Sequence, residues 1–331
     1  MTWNTYYRGD GRPRDVDFPP PPPWRSFSGG DSATAFLPPE GLTDAVNAAL
    51  YLHRPLLITG STGTGKSSVI EQVAAELKLG KPLRWHITSR SSLADALCRY
   101  DALGHIHALR LRSAPAAPRP ARPKRVGRAG RYPGRVHGSA DIAPFLQLGP
   151  LGTALLPGDR PRALLIDEID KSDLDLPADL LDVLESGRFE IPELVRHPRR
   201  QVRVREWDDT ATHPVTDGKV QCTTFPFIVM TSNGERDFPA PFLRRCIRYE
   251  MPTPTPETLR RAVEAHLRCE VDDRGPAADV ITGFAERIAR GDSLAVDQLL
   301  NAVRLVTDDR APTGAERERL LRLMLRDLSG A

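Results

Sequence analysis

The pattern of apolar and polar residues predicts helices and buried strands that alternate from residue 42 onward. Between Leu42 and Leu52 the apolar residues recur at helical intervals, and the run LLIT after Pro55 predicts a buried strand. A glycine-rich segment comes next, and a second helical pattern runs to Gly80, a residue typical of helix C-termini. The chain therefore opens with a helix, a strand, a glycine-rich loop and a helix.

Three further apolar runs predict buried strands, at residues 82–88, 163–166 and 225–233. The run at 163–166 ends at acidic residues, as expected of a parallel strand that is buried on both faces. Between these runs, SSLADALCRYDAL predicts a helix that begins near Ser91, and PADLLDVLESG predicts another.

Two other regions depart from this alternation. Residues 195–222 alternate in polarity around Asp217-Gly218, the pattern of an inserted β-hairpin. After Pro252 the pattern is helical only. We therefore predict an α/β domain with a parallel sheet over residues 36–252 and a small all-α domain over 253–331. Residues 1–35, with five consecutive prolines, predict a disordered N-terminal arm.

Length and composition set limits on the class of protein. The 331 residues correspond to about two typical domains, and 40% hydrophobic with 27% charged residues excludes a wholly disordered or fibrous chain. The N-terminal residues lack a secretory signal, no run of eighteen apolar residues occurs, and the four cysteines are far apart. We expect a cytoplasmic protein with reduced thiols and no membrane partner.

The net charge of +3 is unevenly distributed. Nine basic and no acidic residues lie between Arg110 and Arg135, and the rest of the chain has 37 basic against 43 acidic residues, a balance of −6. This basic Pro/Arg-rich insert, at about residues 110–138, lacks any periodicity. The protein is thus mildly acidic apart from one basic segment.

The glycine-rich segment matches the phosphate-binding motif G-x-x-x-x-G-K-[ST] between a predicted strand and a predicted helix. Its backbone N–H groups would face the phosphates of a nucleotide, Lys66 would reach the β and γ phosphates, and Ser67 would ligate Mg²⁺. The candidate nucleotide-binding residues are Gly60, Ser61, Thr62, Gly63, Thr64, Gly65, Lys66, Ser67 and Ser68.

Two carboxylates follow the strand at 163–166, where open α/β sheets bind their ligands. Asp167 is the candidate second magnesium ligand. Glu168 is the candidate general base, because a carboxylate near the γ phosphate can orient and deprotonate the attacking water. Asp170 and Lys171 are interpreted as solvated charges at the start of a helix.

Two more features suit phosphoryl transfer. Asn233 ends the strand at 225–233 and would hold the water at the same sheet edge as Asp167 without neutralising Glu168. Arg244 and Arg245 are predicted on a short helix after Pro241, where a guanidinium from a neighbouring subunit would stabilise the charge that develops on the γ phosphate.

The segments GSTGTGKS, LLIDEID, MTSN and FLRRC, in this order and spacing, resemble the AAA+ ATPases, and more narrowly the MoxR-like branch. The resemblance covers about residues 40–310. It implies that Gly60–Ser68 is Walker A, that Asp167 and Glu168 form Walker B, that Asn233 is sensor 1, and that Arg245 or Arg244 is the arginine finger. It also implies ATP and Mg²⁺ as cofactors, a hexameric ring, and a partner with a von Willebrand A domain.

The chain departs from the family pattern at two places. The lid helix carries Ala295 near the place of the usual sensor 2 arginine, with Arg304 as a weak substitute. The family's helix-2 insert is short and structured, whereas the corresponding segment here is rich in proline and arginine. The sensor 2 role and the role of this insert therefore stay open.

The leading hypothesis is a ring-forming ATPase that remodels or activates a partner protein in a chaperone-like way. A nucleic-acid motor or loader is the second hypothesis, because the basic insert would neutralise phosphates. Against it, Tyr132 is the only aromatic residue of the insert. A nucleotide-gated switch or adaptor is the third. A small-molecule kinase would not need Asn233 or the paired arginines, and the motif alone does not exclude GTP.

Overall fold

The computed structural model describes residues 13, 15, 22, 36–113, 141–207, 210–267, 270–292, 294–308 and 312–327. Almost all of the predicted N-terminal arm and the basic insert beyond residue 113 lie outside these ranges. Within the described part of the chain, every helix is too short or too polar to cross a lipid bilayer.

The elements of the first half of the chain are α1 (Leu42–Leu52), β1 (Leu56–Thr59), α2 (Ser68–Glu76), β2 (Leu83–His86), α3 (Leu93–Leu97), β3 (Cys98–Tyr100), α4 (Ala102–Ser113), β4 (Leu146–Leu148), α5 (Pro150–Ala154) and β5 (Ala163–Asp167). The second half begins with α6 (Leu176–Ser186), β6 (Arg188–Glu190), α7 (Pro192–Val195), β7 (Gln201–Arg205), β8 (Thr212–Thr216), β9 (Lys219–Gln221), β10 (Phe227–Ser232), α8 (Ala240–Leu243) and β11 (Ile247–Glu250). It ends with α9 (Pro256–Leu267), α10 (Pro276–Ala289), α11 (Val296–Thr307) and α12 (Gly314–Met324).

These elements form two compact units. The first combines the described residues of Met1–Arg90, Arg160–Leu181 and Phe225–Ala331, and the second combines those of Ser91–Asp159 and Asp182–Thr224. The first unit contains every predicted nucleotide-site residue. The domain boundary at 252/253 stays a prediction.

The first unit is built on a parallel sheet with the order β11-β1-β10-β5-β2. In register, Leu57 pairs with Met230, and Val229 pairs with Leu165. The carboxyl ends of β1, β10 and β5 therefore lie side by side at one edge of the sheet, which we call the carboxyl edge. The three loops that follow these strands are the ones that carry the predicted site residues.

Apolar side chains from the sheet and from α1 and α2 pack into one buried cluster. A second buried cluster joins α9, α10 and α11. The predicted fold class is thereby confirmed, because a parallel sheet flanked by helices precedes a set of helices with a core of its own.

The second unit contains a sheet of six strands in the order β3-β4-β7-β8-β9-β6. The predicted hairpin is confirmed: β7 pairs antiparallel with β8, and Asp217-Gly218 turns the chain from β8 into β9 with positive φ angles of 54° and 70°. Positive φ at both central residues is the geometry of a type I′ hairpin turn, which explains the Asp-Gly pair.

Two sequence predictions were wrong or incomplete. The predicted helix from Ser91 is interrupted, because Cys98–Tyr100 pairs antiparallel with Leu146–Leu148 and forms strand β3 instead. This pairing joins residues almost fifty positions apart, so tertiary contacts override the local helical spacing. Strand β11 was not predicted, because the alternating sequence IRYE is too short to stand out from its surroundings.

Leu165 offers a test of the parallel sheet as the core of the first unit. It is 0% exposed and lies in the middle of β5, whereas the Leu174 residue is 70% exposed. We expect Leu165→Ala to lower the free energy of unfolding by about 2–5 kcal/mol, because it leaves a cavity. Leu174→Ala should change it by less than about 0.5 kcal/mol. Urea denaturation measures both, and equal small effects would contradict this placement of the core.

Candidate functional site

The loop between β1 and α2 has the backbone that its glycines allow. Gly60, Gly63 and Gly65 have φ angles of 141°, 80° and 82°. A Cβ atom on Gly60 would lie 2.9 Å from Cβ of Met251, and one on Gly63 would lie 2.7 Å from Cα of Ala295. Both conformation and space therefore require glycine at these two positions. The loop has the form expected for backbone N–H groups that surround an anion.

Lys66 lies at the centre of the loop and is only 7% exposed. Its ammonium donates hydrogen bonds to the carbonyl oxygens of Gly60 at 2.8 Å and Ser61 at 2.9 Å, and to Oδ1 of Asn233 at 2.8 Å. Burial lowers the pKa of Lys66, and the nearby charges of Asp170, Asp167 and Glu168 oppose this shift. These contacts hold the cation where a phosphate would meet it.

Ser67 and Asp167 meet at the carboxyl edge. The hydroxyl of Ser67 donates to Oδ1 of Asp167 at 2.9 Å, and the hydroxyl of Thr231 donates to the same oxygen at 2.6 Å. A hydroxyl and a carboxylate side by side are hard oxygen ligands of the kind that Mg²⁺ prefers. The residues predicted to hold the metal therefore fit it.

Glu168 directly follows β5 with a φ of 59°, the left-handed region that non-glycine residues rarely adopt. Its backbone N–H donates to Oγ1 of Thr231 at 2.9 Å, which helps to hold this conformation. Its carboxylate accepts a hydrogen bond from Nζ of Lys171 at 2.9 Å, and Nε2 of His86 lies 3.5 Å from the same oxygen. The hydrogen bond with Glu168 raises the pKa of Lys171. The candidate general base is thus already held at the edge of the sheet.

Asp170 corrects a sequence prediction. It was interpreted as a solvated charge, yet it is only 3% exposed and lies in a single 3₁₀ turn, Ile169–Lys171. Its Oδ2 accepts hydrogen bonds from the backbone N–H groups of Asn233 at 2.9 Å and Glu235 at 3.2 Å. Lys171 is largely exposed, as predicted, but is paired with Glu168. The segment after β5 therefore continues the site instead of starting a solvated helix.

The two predicted arginines lie next to helix α8. Helix α8 ends at Leu243, so both follow it instead of lying on it. Arg244 is exposed, and its carbonyl oxygen accepts a hydrogen bond from Arg54 at 2.8 Å. Arg245 is half-buried and donates from Nη1 to the carbonyl oxygen of Pro241 at 3.0 Å. Neither contact links an arginine to the P-loop of the same chain.

Ala295 does lie at the P-loop, since a Cβ on Gly63 would also meet the backbone N of Val296 at 2.8 Å. The N-terminus of α11 therefore packs on the loop, and it carries Ala295 near the place where the resemblance would put an arginine. Arg304 lies in the last turn of α11, about 12 Å along the helix axis from Val296. Its role as a weak substitute for a sensor 2 arginine stays a prediction.

Sequence reasoning missed His86 and Thr231 as members of the site, and it identified Asp170 and Lys171 only as solvated charges. Each of them is within a few residues of the end of β2, β10 or β5. Their proximity to strand ends was the available signal, but only the order of strands in the sheet brings these ends together.

Neither a protein-family model nor a curated protein matches the sequence. Among solved structures, the chain is similar to NtrX from Brucella abortus in complex with ADP, with 15% identity, a TM-score of 0.41 and coverage of 88% of this chain and 61% of that one. Another NtrX structure from Brucella abortus gives 13% identity, a TM-score of 0.42 and coverage of 86% and 55%.

A variant of RuvB from Thermotoga maritima gives 15% identity, a TM-score of 0.35 and coverage of 86% of this chain and 74% of that one. This chain thus spans about three fifths of the NtrX chain in the first of these matches. All three TM-scores are below 0.5, so we infer the function from the chain's own residues.

Thr231 provides a test of the site's construction. It is 2% exposed and bridges Asp167 and the N–H of Glu168. We expect Thr231→Val to lower the free energy of unfolding by about 1–3 kcal/mol, because it leaves a buried N–H without an acceptor. Thr231→Ser keeps the hydroxyl and should cost about 1 kcal/mol or less for the lost methyl group. Denaturation without nucleotide or metal measures both, and a serine variant as unstable as the valine variant would contradict the bridging role.

Proposed function

We propose that this chain is an ATP-hydrolysing AAA+ ATPase of the MoxR-like type. The observation that supports the proposal most is the direct contact among loops that the sequence keeps far apart. Lys66 bonds to Asn233, Ser67 bonds to Asp167, and Glu168 follows Asp167 at the same edge. This is the set of groups that phosphoryl transfer to water requires.

Each group has a role that its chemistry suits. The loop glycines and Lys66 bind the phosphates, and Ser67 and Asp167 would hold Mg²⁺, which would supply positive charge beside the phosphates. Asn233 orients the attacking water, and Glu168 accepts its proton. Lys171 bonds to Oε2 of Glu168, so the other oxygen, Oε1, would accept the proton.

We propose assembly into a ring, hexameric as in the AAA+ family that the sequence resembles. The exposure of Arg244 and the position of both arginines next to α8 suit a guanidinium that serves a neighbouring subunit. We further propose a cytoplasmic protein that remodels or activates a partner protein, with a von Willebrand A domain protein as the candidate partner. The all-α region from residue 253 would act as the lid.

The roles of Lys66 and Glu168 are separable by experiment. We expect Lys66→Ala to lose ATP binding, because the phosphates lose their buried cation. Glu168→Gln should bind ATP normally but hydrolyse it about 10²–10⁴-fold more slowly, because the general base is lost. Fluorescent-nucleotide titration and phosphate release measure the two effects. Glu76→Gln, at an exposed position on α2, is the control. Unchanged hydrolysis by Glu168→Gln would exclude this assignment.

A finger supplied in trans makes hydrolysis depend on assembly. We expect the rate per subunit to rise with protein concentration and to fall by about 10³-fold or more in Arg245→Ala or Arg244→Ala, whichever is the finger. Mixing that variant with Lys66→Ala, which keeps its arginines, should restore hydrolysis at the mixed interfaces. Arg248→Ala, at another exposed position nearby, is the control. A constant rate per subunit at all concentrations, with no rescue, would contradict ring assembly.

A further inference from the structure

Asp170 stands out among the acidic residues of the carboxyl edge because it is the one that is buried. A carboxylate is expensive to remove from water unless hydrogen bonds compensate it. At 3% exposure its Oδ1 has no donor within hydrogen-bonding distance among the described residues. The nearby charge of Lys66 compensates part of this cost, and among the described residues the hydrogen bonds all go to the other oxygen, Oδ2.

Both of these bonds go to the loop after β10. The N–H groups of Asn233 and Glu235 converge on Oδ2 of Asp170, so one charged oxygen fixes the backbone on both sides of Gly234. Gly234 has a φ of 77°, and a Cβ there would meet nothing within 4 Å, so packing does not restrain this residue. Charge-assisted hydrogen bonds to backbone N–H groups are stronger than neutral ones and suit this role.

The same loop carries the amide that the site uses. The side chain of Asn233 accepts from Lys66 at 2.8 Å, while its backbone N–H donates to Asp170 at 2.9 Å. Two other bonds restrain the loop, from the N–H of Gly234 to Ser232 and from Arg236 to the carbonyl oxygen of Ser172. Neither of them acts on the backbone of Asn233 itself.

We propose that Asp170 is a positioning residue for Asn233: its buried carboxylate fixes the loop after β10 so that the Asn233 amide stays aligned with Lys66 and the attacking water. This inference rests on the proposed ATPase function for its effect on rate. In this role Asp170 acts on the reaction through Asn233. The segment after Walker B thereby becomes the element that sets the geometry of sensor 1.

Amide hydrogen exchange tests the structural half of the proposal without nucleotide. In Asp170→Ala we expect the amides of Asn233 and Glu235 to exchange about tenfold faster or more, while amides in β1 and α2 keep their rates. Asp170→Asn keeps an acceptor oxygen but loses the charge. Its exchange rates at the two amides should lie between those of wild type and those of Asp170→Ala. Asp173→Asn, at an exposed position three residues later, should match wild type. Unchanged exchange at both amides in Asp170→Ala would overturn the proposal.

A double-mutant cycle tests the functional half. We expect Asp170→Ala to lower kcat about tenfold or more, with the dissociation constant of a fluorescent ATP analogue changed less than about threefold. In an Asn233→Ala background the same substitution should have little further effect, because the group it positions is absent. A general loss of structure would weaken nucleotide binding as well. Equal losses of kcat in both backgrounds would show that Asp170 acts independently of Asn233 and would overturn the inference.

The two experiments separate this inference from the proposed function. If wild type hydrolyses no more ATP than Lys66→Ala, the proposed function fails. Amide hydrogen exchange still decides whether Asp170 fixes the backbone of Asn233. If wild type hydrolyses ATP and Asp170→Ala does so equally fast, only the positioning role fails. If Asp170→Ala does not fold, Asp170→Asn carries both measurements. Faster exchange at Asn233 and Glu235 together with a lower kcat would support the positioning role, and wild-type exchange with wild-type kcat would overturn it.

Discussion

The site depends on the parallel pairing of β1, β10 and β5. These three strands are neighbours in the sheet, and their pairing ends at the same level, so the loops after them emerge together. One loop carries the phosphate-binding glycines and Lys66, the next carries Asn233, and the third carries Asp167 and Glu168. A shift of one residue in either pairing would separate these groups by about 3.3 Å and reverse the faces of a strand.

Charge at this edge is arranged in pairs, because an isolated charge would be costly there. Lys66 is surrounded by acceptors and by three carboxylates, Glu168 is held by Lys171, and Asp167 accepts from two hydroxyl groups. The nucleotide would therefore enter a network that is already connected, and binding would exchange these bonds for others. Such preorganisation reduces the rearrangement that a reaction requires.

The lid region is linked to this network through backbone contact. Gly63 and the N-terminus of α11 approach so closely that no side chain fits between them. Alanine at position 295 allows this approach and leaves no cationic side chain at that position. Arg244, by contrast, is exposed next to α8.

The sequence by itself determined four strands of the parallel sheet, most of the helices, the glycine-rich loop and five groups of the candidate site, because continuous apolar runs and the glycine spacing are local signals. Only the tertiary structure placed Asp170 in the interior and assigned Thr231 and Lys171 to their partners. The contacts of Asp170 and Thr231 join loops about 60 residues apart in the sequence. The position of Lys171 follows from a single 3₁₀ turn, which the local sequence pattern does not distinguish from the start of a helix. Strand β3 formed for the same reason, since a distant strand supplied its hydrogen bonds. Burial and hydrogen-bond partners across the sheet depend on the order of its strands, so residue type alone could not predict them.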